Sequence, residues 1–435
     1  MQDYLEEKQD NMIKKVLVIA YYFPPMGLSG VQRTLKFVKY LPKFGWEPVV
    51  ITTNAPAYYA FDDSLLEELG DETKIYRTDE DISKYLKKNK QKDRETIKYP
   101  SRFSQKIKRI ISQFIFQPDS RITWKKHALK AGKKALEENE IDAIYATAPP
   151  FTDFLVAKEL SEEYNIPYLI DYRDLWLDNA FYVYPTPFHK NYSAKLENEV
   201  LKKCSKALVI TRYMKEQLIK RYQIVSHEDV SILPHGYDPE DFKGVEKDIY
   251  PGSGKFVLTH SGLFPDDLTP KYFLKAFRAF LKENPEAKEN TELRFIGLMR
   301  YEHQKLVFKY KLEKNIVMYG YLPHDEVIKH LLSSDVLWFM ITNNIATPSR
   351  MYEYIGAKKP IIACTPEGSI KETALKTGAA ETCQPKNETE IKAAIEKYYK
   401  LWKKNSLPKP KNDYIKNFDR EKLTESLAKE LELLT

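Results

Sequence analysis

The sequence predicts an α/β protein made of two successive parallel, doubly wound halves, and three features of the chain predict it. First, the apolar run "KKVLVIAYYF" (14–23) has the length of a buried strand. Second, a loop with Gly27 and Gly30, a helical apolar pattern and the strand "WEPVVITT" (46–53) follow it, which is how a parallel sheet begins. Third, the alternation of strands and helices restarts after a polar segment rich in turn residues, 243–255.

Each half continues with short apolar strands separated by helical segments. The predicted strands lie at 143–147, 167–172 and 206–211 in the first half, and at 256–262, 292–297, 316–320, 335–340 and 360–364 in the second. The tail at 414–434 predicts one amphipathic helix with a leucine-rich side. We therefore divide the chain into a first domain (1–242), a linker (243–255), a second domain (256–408) and a C-terminal helical segment (409–435).

Composition and motif content disfavour several classes of protein. With 435 residues, 43% hydrophobic and 30% charged, the chain reads as globular, and no apolar run approaches the roughly 18 residues of a membrane span. The start of the chain is acidic and polar, unlike a signal peptide, and three scattered cysteines fit neither a disulfide framework nor a zinc site. No Walker A, HExxH, Ser–His–Asp or strand-flanked DxD pattern occurs. We therefore expect a cytoplasmic protein and little hydrolase, kinase or metal chemistry.

Positive charge is concentrated between residues 84 and 134, which hold seventeen Lys or Arg against three acidic residues. In "SRFSQKIKRIISQFIF" (101–116) apolar residues recur at helical spacing with basic residues between them. This pattern is typical of a helix that lies on an anionic membrane surface, and equally of a solvated amphipathic helix packed on its own domain. No nucleic-acid-binding motif accompanies the charge, so nucleic acid is not an expected partner.

The segment "ATPSRMYEYIGAKKPII" (346–362) places one acidic residue, Glu353, on a short helix between two predicted strands. Thr347 is a good N-cap and Pro348 a good first helical residue, so the helix is predicted to begin there. Its start then lies just beyond the carboxyl end of the strand at 335–340, where open parallel sheets bind ligands.

Glu353 follows Ser349 by four residues and Arg350 by three, so the three side chains share a helix face. The helix start and Arg350 suit an anion, and a carboxylate one turn deeper can accept hydrogen bonds from two adjacent hydroxyl groups of a ribose. Together the two features describe a nucleotide diphosphate. An exposed surface glutamate is the alternative interpretation.

The glycine loop "PPMGLSGVQR" (24–33) is compatible with a phosphate site, because a strand–glycine–helix turn lets backbone N–H groups approach an anion. Gly27 and Gly30 are its permissive positions, and Arg33 either reaches a phosphate or points to solvent. Both glycines could equally be plain turn residues. The loop lacks the full GxGxxG spacing, and no acidic residue ends the second strand, so a dinucleotide-dependent dehydrogenase is not predicted.

A second polar cluster, "DYRDLW" (171–176), follows the strand at 167–172 and contains Asp171, Arg173 and Asp174. In one interpretation the arginine only pairs with its acidic neighbours and shapes the loop. In the other, Arg173 or Asp174 contacts a sugar or forms the wall of a crevice at the sheet edge.

Six segments taken together resemble a known family. They resemble, in chain order, the retaining nucleotide-sugar glycosyltransferases of glycosyltransferase family 4, and within it the bacterial branch that builds surface polysaccharides. The segments begin with "VLVIAYYFPPMGLSG", "IDAIYATAPP", "PYLIDYRDLW", "ILPHGYDPEDF", "VMYGYLPHDEV" and "PSRMYEYIGAKKPIIA". The resemblance extends from about residue 14 to residue 363.

This resemblance implies the GT-B fold, in which two Rossmann-like domains face each other across a cleft and the second domain holds most of the donor. It implies a UDP- or GDP-sugar donor, a glycan or lipid-linked acceptor, and no metal or other cofactor. The last helix would cross back onto the first domain. The basic 84–134 region would let a cytoplasmic enzyme associate peripherally with the inner face of the cell membrane.

The resemblance also assigns roles to residues. Glu353 matches the glutamate that holds the donor ribose, and Ser349 and Arg350 lie at the diphosphate. Gly27 and Gly30 match the loop that closes over the phosphates, and Gly262 and Lys271 match a region that offers a basic group. The predicted catalytic set in the first domain is Asp171, Arg173 and Asp174.

Two departures from the family pattern affect these assignments. Ile345 stands where many members have a second glutamate for the donor sugar, and Asn343, Asn344 or Thr347 could replace it. The usual arginine–lysine pair is not evident in "SGLFPDDLTPKYF" (261–273). A nucleotide-sugar epimerase of the same fold and a non-catalytic nucleotide-sugar-binding protein therefore remain alternative hypotheses.

Overall fold

The computed structural model describes residues 13–54, 58, 60–70, 72–78, 102–179, 182–245, 254–265, 268–345 and 347–435. Parts of the predicted basic region (84–101) and of the predicted linker (246–253) lie outside these ranges. Within them, two parallel sheets form the framework, one from each half of the chain. The two Rossmann-like halves of the predicted fold are therefore confirmed.

The first sheet contains the strands of the first half. They are β1 (Lys14–Ile19), β2 (Trp46–Thr53), β3 (Lys74–Thr78), β4 (Ala143–Ala148), β5 (Tyr168–Tyr172), β6 (Lys206–Val209) and β7 (Val230–Ile232). Their order across the sheet is β3-β2-β1-β4-β5-β6-β7. The helices of this half are α1 (Ser29–Tyr40), α2 (Arg102–Ile115), α3 (Lys125–Glu138), α4 (Thr152–Tyr164), α5 (Pro187–Lys203) and α6 (Arg212–Arg221).

The second sheet repeats this arrangement. Its strands are β8 (Phe256–Ser261), β9 (Thr291–Ile296), β10 (Ile316–Gly320), β11 (Val336–Met340), β12 (Ile361–Cys364) and β13 (Ala380–Cys383), in the order β10-β9-β8-β11-β12-β13. The helices are α7 (Lys271–Glu283), α8 (Ala287–Asn290), α9 (Tyr301–Lys309), α10 (His324–Leu332), α11 (Arg350–Gly356), α12 (Ser369–Lys376) and α13 (Glu388–Lys403). Two C-terminal helices follow, α14 (Asn412–Ile415) and α15 (Arg420–Glu432).

The central strands are continuous apolar runs because helices cover both faces of each sheet. In β1, Val16 and Val18 pack in a buried cluster with residues of α1 and α15, whereas Leu17 and Ile19 pack in a second cluster with residues of α3 and α4. The two layers of helices leave the carboxyl ends of the strands open, and the loops there are free to build a site.

The chain crosses between the halves twice, and the two crossings pair with each other. Tyr237 donates its backbone N–H to the carbonyl of Phe418 (2.9 Å), and Arg420 donates its own N–H to the carbonyl of Tyr237 (2.9 Å). After the second crossing, Leu427 and Leu431 of α15 are buried against the first sheet.

This pairing corrects the prediction of one helix at 414–434. The tail is broken into α14, a 3-10 turn (Lys416–Phe418) and α15. Asp419 interrupts it with an extended backbone (φ −66°, ψ 126°), because its neighbours pair with Tyr237, and its side chain caps the next helix at the N–H of Glu421 (2.9 Å).

The predicted start of the helix at 346–362 was also wrong. Met351 donates its N–H to the carbonyl of Pro348 (3.1 Å), and Tyr352 donates to the carbonyl of Ser349 (3.0 Å). These i→i+3 bonds form a tight turn, so the α-helix begins at Arg350 with Ser349 as its N-cap. Thr347 lies ahead of the helix and does not cap it.

Candidate functional site

A cavity of about 520 Å³ lies between the two halves at the carboxyl ends of their strands. Residues of both halves line it. Among the predicted site residues, those that line the cavity are Gly30, Arg33, Arg173 and Asp174 from the first half, and Gly262, Thr347, Ser349, Arg350 and Glu353 from the second. The predicted residues outside the lining are Gly27, Asp171 and Lys271.

Glu353 lies on the inner face of α11 and is largely buried, with a side chain 19% exposed. It is therefore not the exposed surface glutamate of the alternative interpretation. Its Oε1 is 3.6 Å from Nε2 of His324, the first residue of α10. Burial alone would lower the pKa of His324, but the carboxylates of Glu353 and Asp241 outweigh it and raise this pKa to about 9. The ion pair therefore holds near neutral pH.

Arg350 is directed across the end of β8. Its Nη1 donates to Nε2 of His260 (2.8 Å), and its Nη2 donates to the carbonyl of Leu263 (3.0 Å). His260 donates from Nδ1 to the carbonyl of Trp338 (3.0 Å), which leaves Nε2 as the acceptor. Burial and the nearby Arg350 charge both lower the pKa of His260, so the imidazole is neutral and Arg350 keeps its charge at the cavity.

Gly262 makes room for that guanidinium. Its φ is +108°, a backbone conformation that favours glycine, and a Cβ atom there would lie 2.7 Å from Cζ of Arg350. Gly262, the residue directly after β8, thus contributes space, and the positive charge comes from Arg350 of α11. Lys271 lies at the start of α7, with its Nζ 5.5 Å from the centroid of the Tyr272 ring, and it does not line the cavity.

The structure also shows which residues near Ile345, where the family's second glutamate is missing, reach the cavity. Ile345 donates its N–H to Oδ1 of Asn343 (3.0 Å) in the loop before α11. Of the three residues that could replace the missing glutamate, Thr347 lines the cavity, and Asn343 and Asn344 do not.

Arg33 of the first-half wall and Asp171 behind it form a buried ion pair. Nε and Nη2 of Arg33 donate to the two carboxylate oxygens of Asp171 (2.7 and 2.9 Å), and Nη1 donates to the carbonyl of Pro234 (2.7 Å). Tyr145 donates its hydroxyl to the same carboxylate (2.6 Å). Arg33 is 1% exposed, which excludes the alternative in which it points to solvent, and its role at a phosphate stays a prediction.

Arg173 forms part of the cavity wall instead of pairing with its acidic neighbours. Its guanidinium donates to the carbonyls of Gly30 and Pro149, and among the described residues it has no ion pair with Asp171 or Asp174. The interpretation of "DYRDLW" as an internal ion-pair cluster was therefore wrong. Burial raises the pKa of Asp174, and the nearby positive charge of Arg173 offsets only part of this rise.

The glycine loop contacts the second half directly. A Cβ atom at Gly27 would lie 2.3 Å from the hydroxyl oxygen of Tyr321, so only glycine lets this tyrosine approach. Nearby, His324 donates its backbone N–H to Oδ2 of Asp62 (3.0 Å). Gly27 therefore serves the contact between the halves and is not part of the lining.

One group of three acidic side chains in the described part of the chain is close enough to hold a metal ion, namely Glu68, Asp238 and Asp241. The ammonium group of Lys36 contacts all three and lies 2.8 Å from Asp238. These contacts raise the pKa of Lys36 although burial lowers it, so the centre of the cluster carries a fixed positive charge.

Sequence reasoning missed His260 and His324. His260 stands two residues before Gly262 on a predicted strand, and His324 follows Pro323 directly after the strand that ends at Gly320. Both positions are at the carboxyl ends of parallel strands, which is a signal for site residues. To predict that these histidines lie next to Arg350 and Glu353, however, the order of the strands across the sheet must be known.

Two family models match most of the chain. The model described as "Glycosyltransferase Family 4" matches residues 29–241, and the model described as "Glycosyl transferases group 1" matches residues 247–417. Among curated protein sequences, none matches the chain.

Solved structures share the fold over nearly the whole chain. HepE from Anabaena, in complex with UDP and glucose, has a TM-score of 0.65 and 14% identity, over 96% of this chain and 99% of HepE. Sucrose-phosphate synthase from Thermosynechococcus elongatus has a TM-score of 0.64 and 12% identity, over 97% and 99%. WaaG, described as a glycosyltransferase involved in lipopolysaccharide biosynthesis, has a TM-score of 0.60 and 14% identity, over 97% and 99%.

Proposed function

Because the chain belongs to the family 4 type of glycosyltransferases with the GT-B fold, we propose that it transfers a sugar, with retention of configuration, from a nucleotide-diphosphate donor to a glycan or lipid-linked glycan in surface polysaccharide biosynthesis. The observation that carries this proposal is the position of Arg350 and Glu353, one turn apart on the wall of the cavity between the halves. The UDP and glucose in the HepE complex and the described role of WaaG support the proposed donor and pathway.

The second-half wall would bind the donor. Glu353 would accept hydrogen bonds from the two ribose hydroxyls, and the Arg350 guanidinium would pair with the diphosphate of a UDP- or GDP-sugar. Thr347 and Ser349 line the same cavity, and their hydroxyls would form further hydrogen bonds with the donor. Lys271 stays a predicted further basic group.

Transfer would need neither a protein nucleophile nor a metal ion. The bond between the anomeric carbon and the diphosphate oxygen breaks, the bond to the acceptor oxygen forms on the same face, and the departing phosphate oxygen takes the acceptor proton. Arg350 stabilises the charge that develops on the diphosphate. Arg173 and Asp174 on the opposite wall would align the sugar and the acceptor hydroxyl, and Asp171 would act through Arg33 as a positioning residue.

The proposed acceptor and location extend to an anionic membrane surface. We define the apolar surface as the exposed side chains of Phe103, Ile107, Ile111, Phe114 and Ile115 on α2 with Phe188 and Tyr192 on α5. Exposed Lys106, Lys108 and Lys190 lie in the same two helices. Exposed apolar side chains next to lysines fit a lipid surface with negative head groups better than a helix packed on its own domain. None of the helices that the structure describes has the length and apolar content of a membrane span.

The donor assignment is tested with Glu353→Ala. Loss of charge-assisted hydrogen bonds of roughly 1.5–3 kcal/mol should weaken UDP binding by about ten- to hundredfold. We would measure it by titration calorimetry, after a thermal-shift screen of nucleotide sugars has selected the donor. Glu367→Ala is the matched control, because its side chain is 77% exposed and pairs only with Lys371 on the surface.

Three results would contradict the proposal in different ways. Unchanged affinity of the Glu353→Ala protein for UDP and GDP would remove the donor assignment. An epimerised nucleotide sugar, formed without any acceptor, would identify an epimerase. Donor binding without turnover across a panel of glycan acceptors would indicate a binding protein.

A further inference from the structure

His324 joins the two halves at the candidate ribose site. Its ring faces Glu353 of the second half, with Nε2 3.6 Å from Oε1, and its backbone N–H donates to Oδ2 of Asp62 in the first half (3.0 Å). His324 therefore contacts the Glu353 carboxylate with its side chain and the first half with its main chain.

The partner loop in the first half is firmly held. Oδ1 of Asp62 accepts hydrogen bonds from the N–H and the hydroxyl of Ser64 (3.2 and 2.6 Å), and the N–H of Asp62 donates to the carbonyl of Pro25 (2.8 Å). Asp62 is 5% exposed. The Asp62 carboxylate, which accepts the hydrogen bond from His324, is thus held at the start of the glycine loop.

Charged groups from several elements face the His324 ring. Glu353 comes from α11 and Asp241 from the 3-10 turn Pro239–Phe242, and both favour the protonated ring. Lys36 of α1 opposes protonation and is itself paired with Asp241, Asp238 and Glu68. The two carboxylates outweigh Lys36, which agrees with a pKa of about 9 and hence with an imidazolium at neutral pH.

We propose that His324 is a positioning residue for the donor. Its imidazolium holds the Glu353 carboxylate toward the ribose, and its backbone N–H links this ion pair to the first-half loop at Asp62. This inference rests on the proposed role of Glu353. It predicts that donor affinity depends on the charge of His324 and on the contact with Asp62.

The charge is tested by comparing wild type with His324→Gln in UDP titration calorimetry between about pH 7 and about pH 10. Glutamine keeps an N–H donor but no charge, so UDP binding should be about fivefold weaker than wild type at neutral pH, the size of a favourable ion pair. Above the pKa of about 9 the wild-type ring is neutral, and the two affinities should converge. Protonation of the UDP phosphates affects both proteins equally, so it cancels in the ratio of the wild-type and variant affinities. Asp325→Ala, whose side chain is 57% exposed, is the control and should match wild type throughout.

A second measurement needs no variant. If UDP binds the protonated form more tightly, linkage requires that bound UDP raises the pKa of His324, which histidine-ring NMR of the wild-type protein reports. An affinity ratio that does not change with pH, or a His324 titration unmoved by UDP, would overturn the proposal. Wild-type UDP affinity in Glu353→Ala would instead overturn the proposed donor site itself.

The contact between the halves is tested with Asp62→Asn. Asparagine can keep the oxygen that accepts from Ser64, but its amide nitrogen cannot accept from the N–H of His324. We expect weaker UDP binding with the pH dependence of wild type. Affinity equal to wild type would show that Glu353 does not depend on the first-half loop.

Discussion

At the scale of single residues, the charge at the cavity depends on how one arginine is held. Arg350 is oriented by His260 and the carbonyl of Leu263, and Gly262 leaves room for it. Because the Nδ1–H of His260 is committed to Trp338, Nε2 can only accept, and Arg350 is the donor that satisfies it. A single guanidinium thereby serves both the packing of β8 and the proposed diphosphate site.

Arg350→Ala should weaken diphosphate binding more than nucleoside binding. Removal of a charge-assisted contact of roughly 1.5–3 kcal/mol predicts a loss of at least about tenfold for UDP and little change for uridine, which has no phosphate. Calorimetric titrations with both ligands would measure the difference. Arg212→Ala, whose side chain is 84% exposed, serves as the control. An equal loss for UDP and uridine would place Arg350 away from the diphosphate.

Local contacts on this wall could be predicted from the sequence, and distant ones could not. Glu353 and Arg350 were found because both lie on one helix, where three residues of separation fix their relative direction. The pairing of Arg33 with Asp171 joins positions 138 residues apart. Side-chain chemistry at position 33 allowed several partners, and the sheet order decided between them.

At the scale of elements, α2 is unusual because its apolar side faces outward. Phe103 is 75% and Phe114 60% exposed, while Gln113 on another side of the helix is buried and accepts from the N–H of Val183 (2.6 Å). The periodicity in the sequence predicted this helix and its apolar stripe. Periodicity cannot say whether such a stripe faces the core or the solvent, because both arrangements have the same spacing.

If the apolar surface binds a membrane, a variant with Phe103, Ile107 and Ile111 changed to serine should lose vesicle binding. Wild-type protein should sediment with vesicles that contain anionic lipid, and binding should fall as salt is raised, since head-group attraction is screened. Phe308→Ser on α9 is the matched control, because Phe308 is 60% exposed outside this surface. Equal sedimentation with purely zwitterionic vesicles would contradict a role for the lysines.

At the scale of the whole molecule, the end of the chain stabilises its beginning. Leu427 and Leu431 of α15 are fully buried with Val16 and Val18 of β1, and Lys14 pairs with Glu432 (2.7 Å). The two parallel halves could be predicted from the repeated strand and helix pattern. The break at Asp419 could not, because it depends on a backbone pairing with Tyr237 that no local pattern encodes.

Leu427→Ala should therefore destabilise the protein by about 2–5 kcal/mol, the usual cost of a buried leucine truncation. Urea unfolding followed by tryptophan fluorescence would measure it, since Trp46 belongs to the same cluster. Leu433→Ala, at a position 78% exposed, should change the free energy of unfolding by less than about 0.5 kcal/mol. Similar losses in both variants would show that α15 is not anchored by its buried face.

The paired crossings at Tyr237 and Asp419 also have a mechanical consequence. Two chain segments that run side by side and share backbone hydrogen bonds resist torsion about their common axis more than one segment does, since twisting would stretch those bonds. Bending across the pair leaves the bonds intact. We therefore expect that any relative motion of the two halves is mainly a swing that opens and closes the cavity between Arg173 and Glu353.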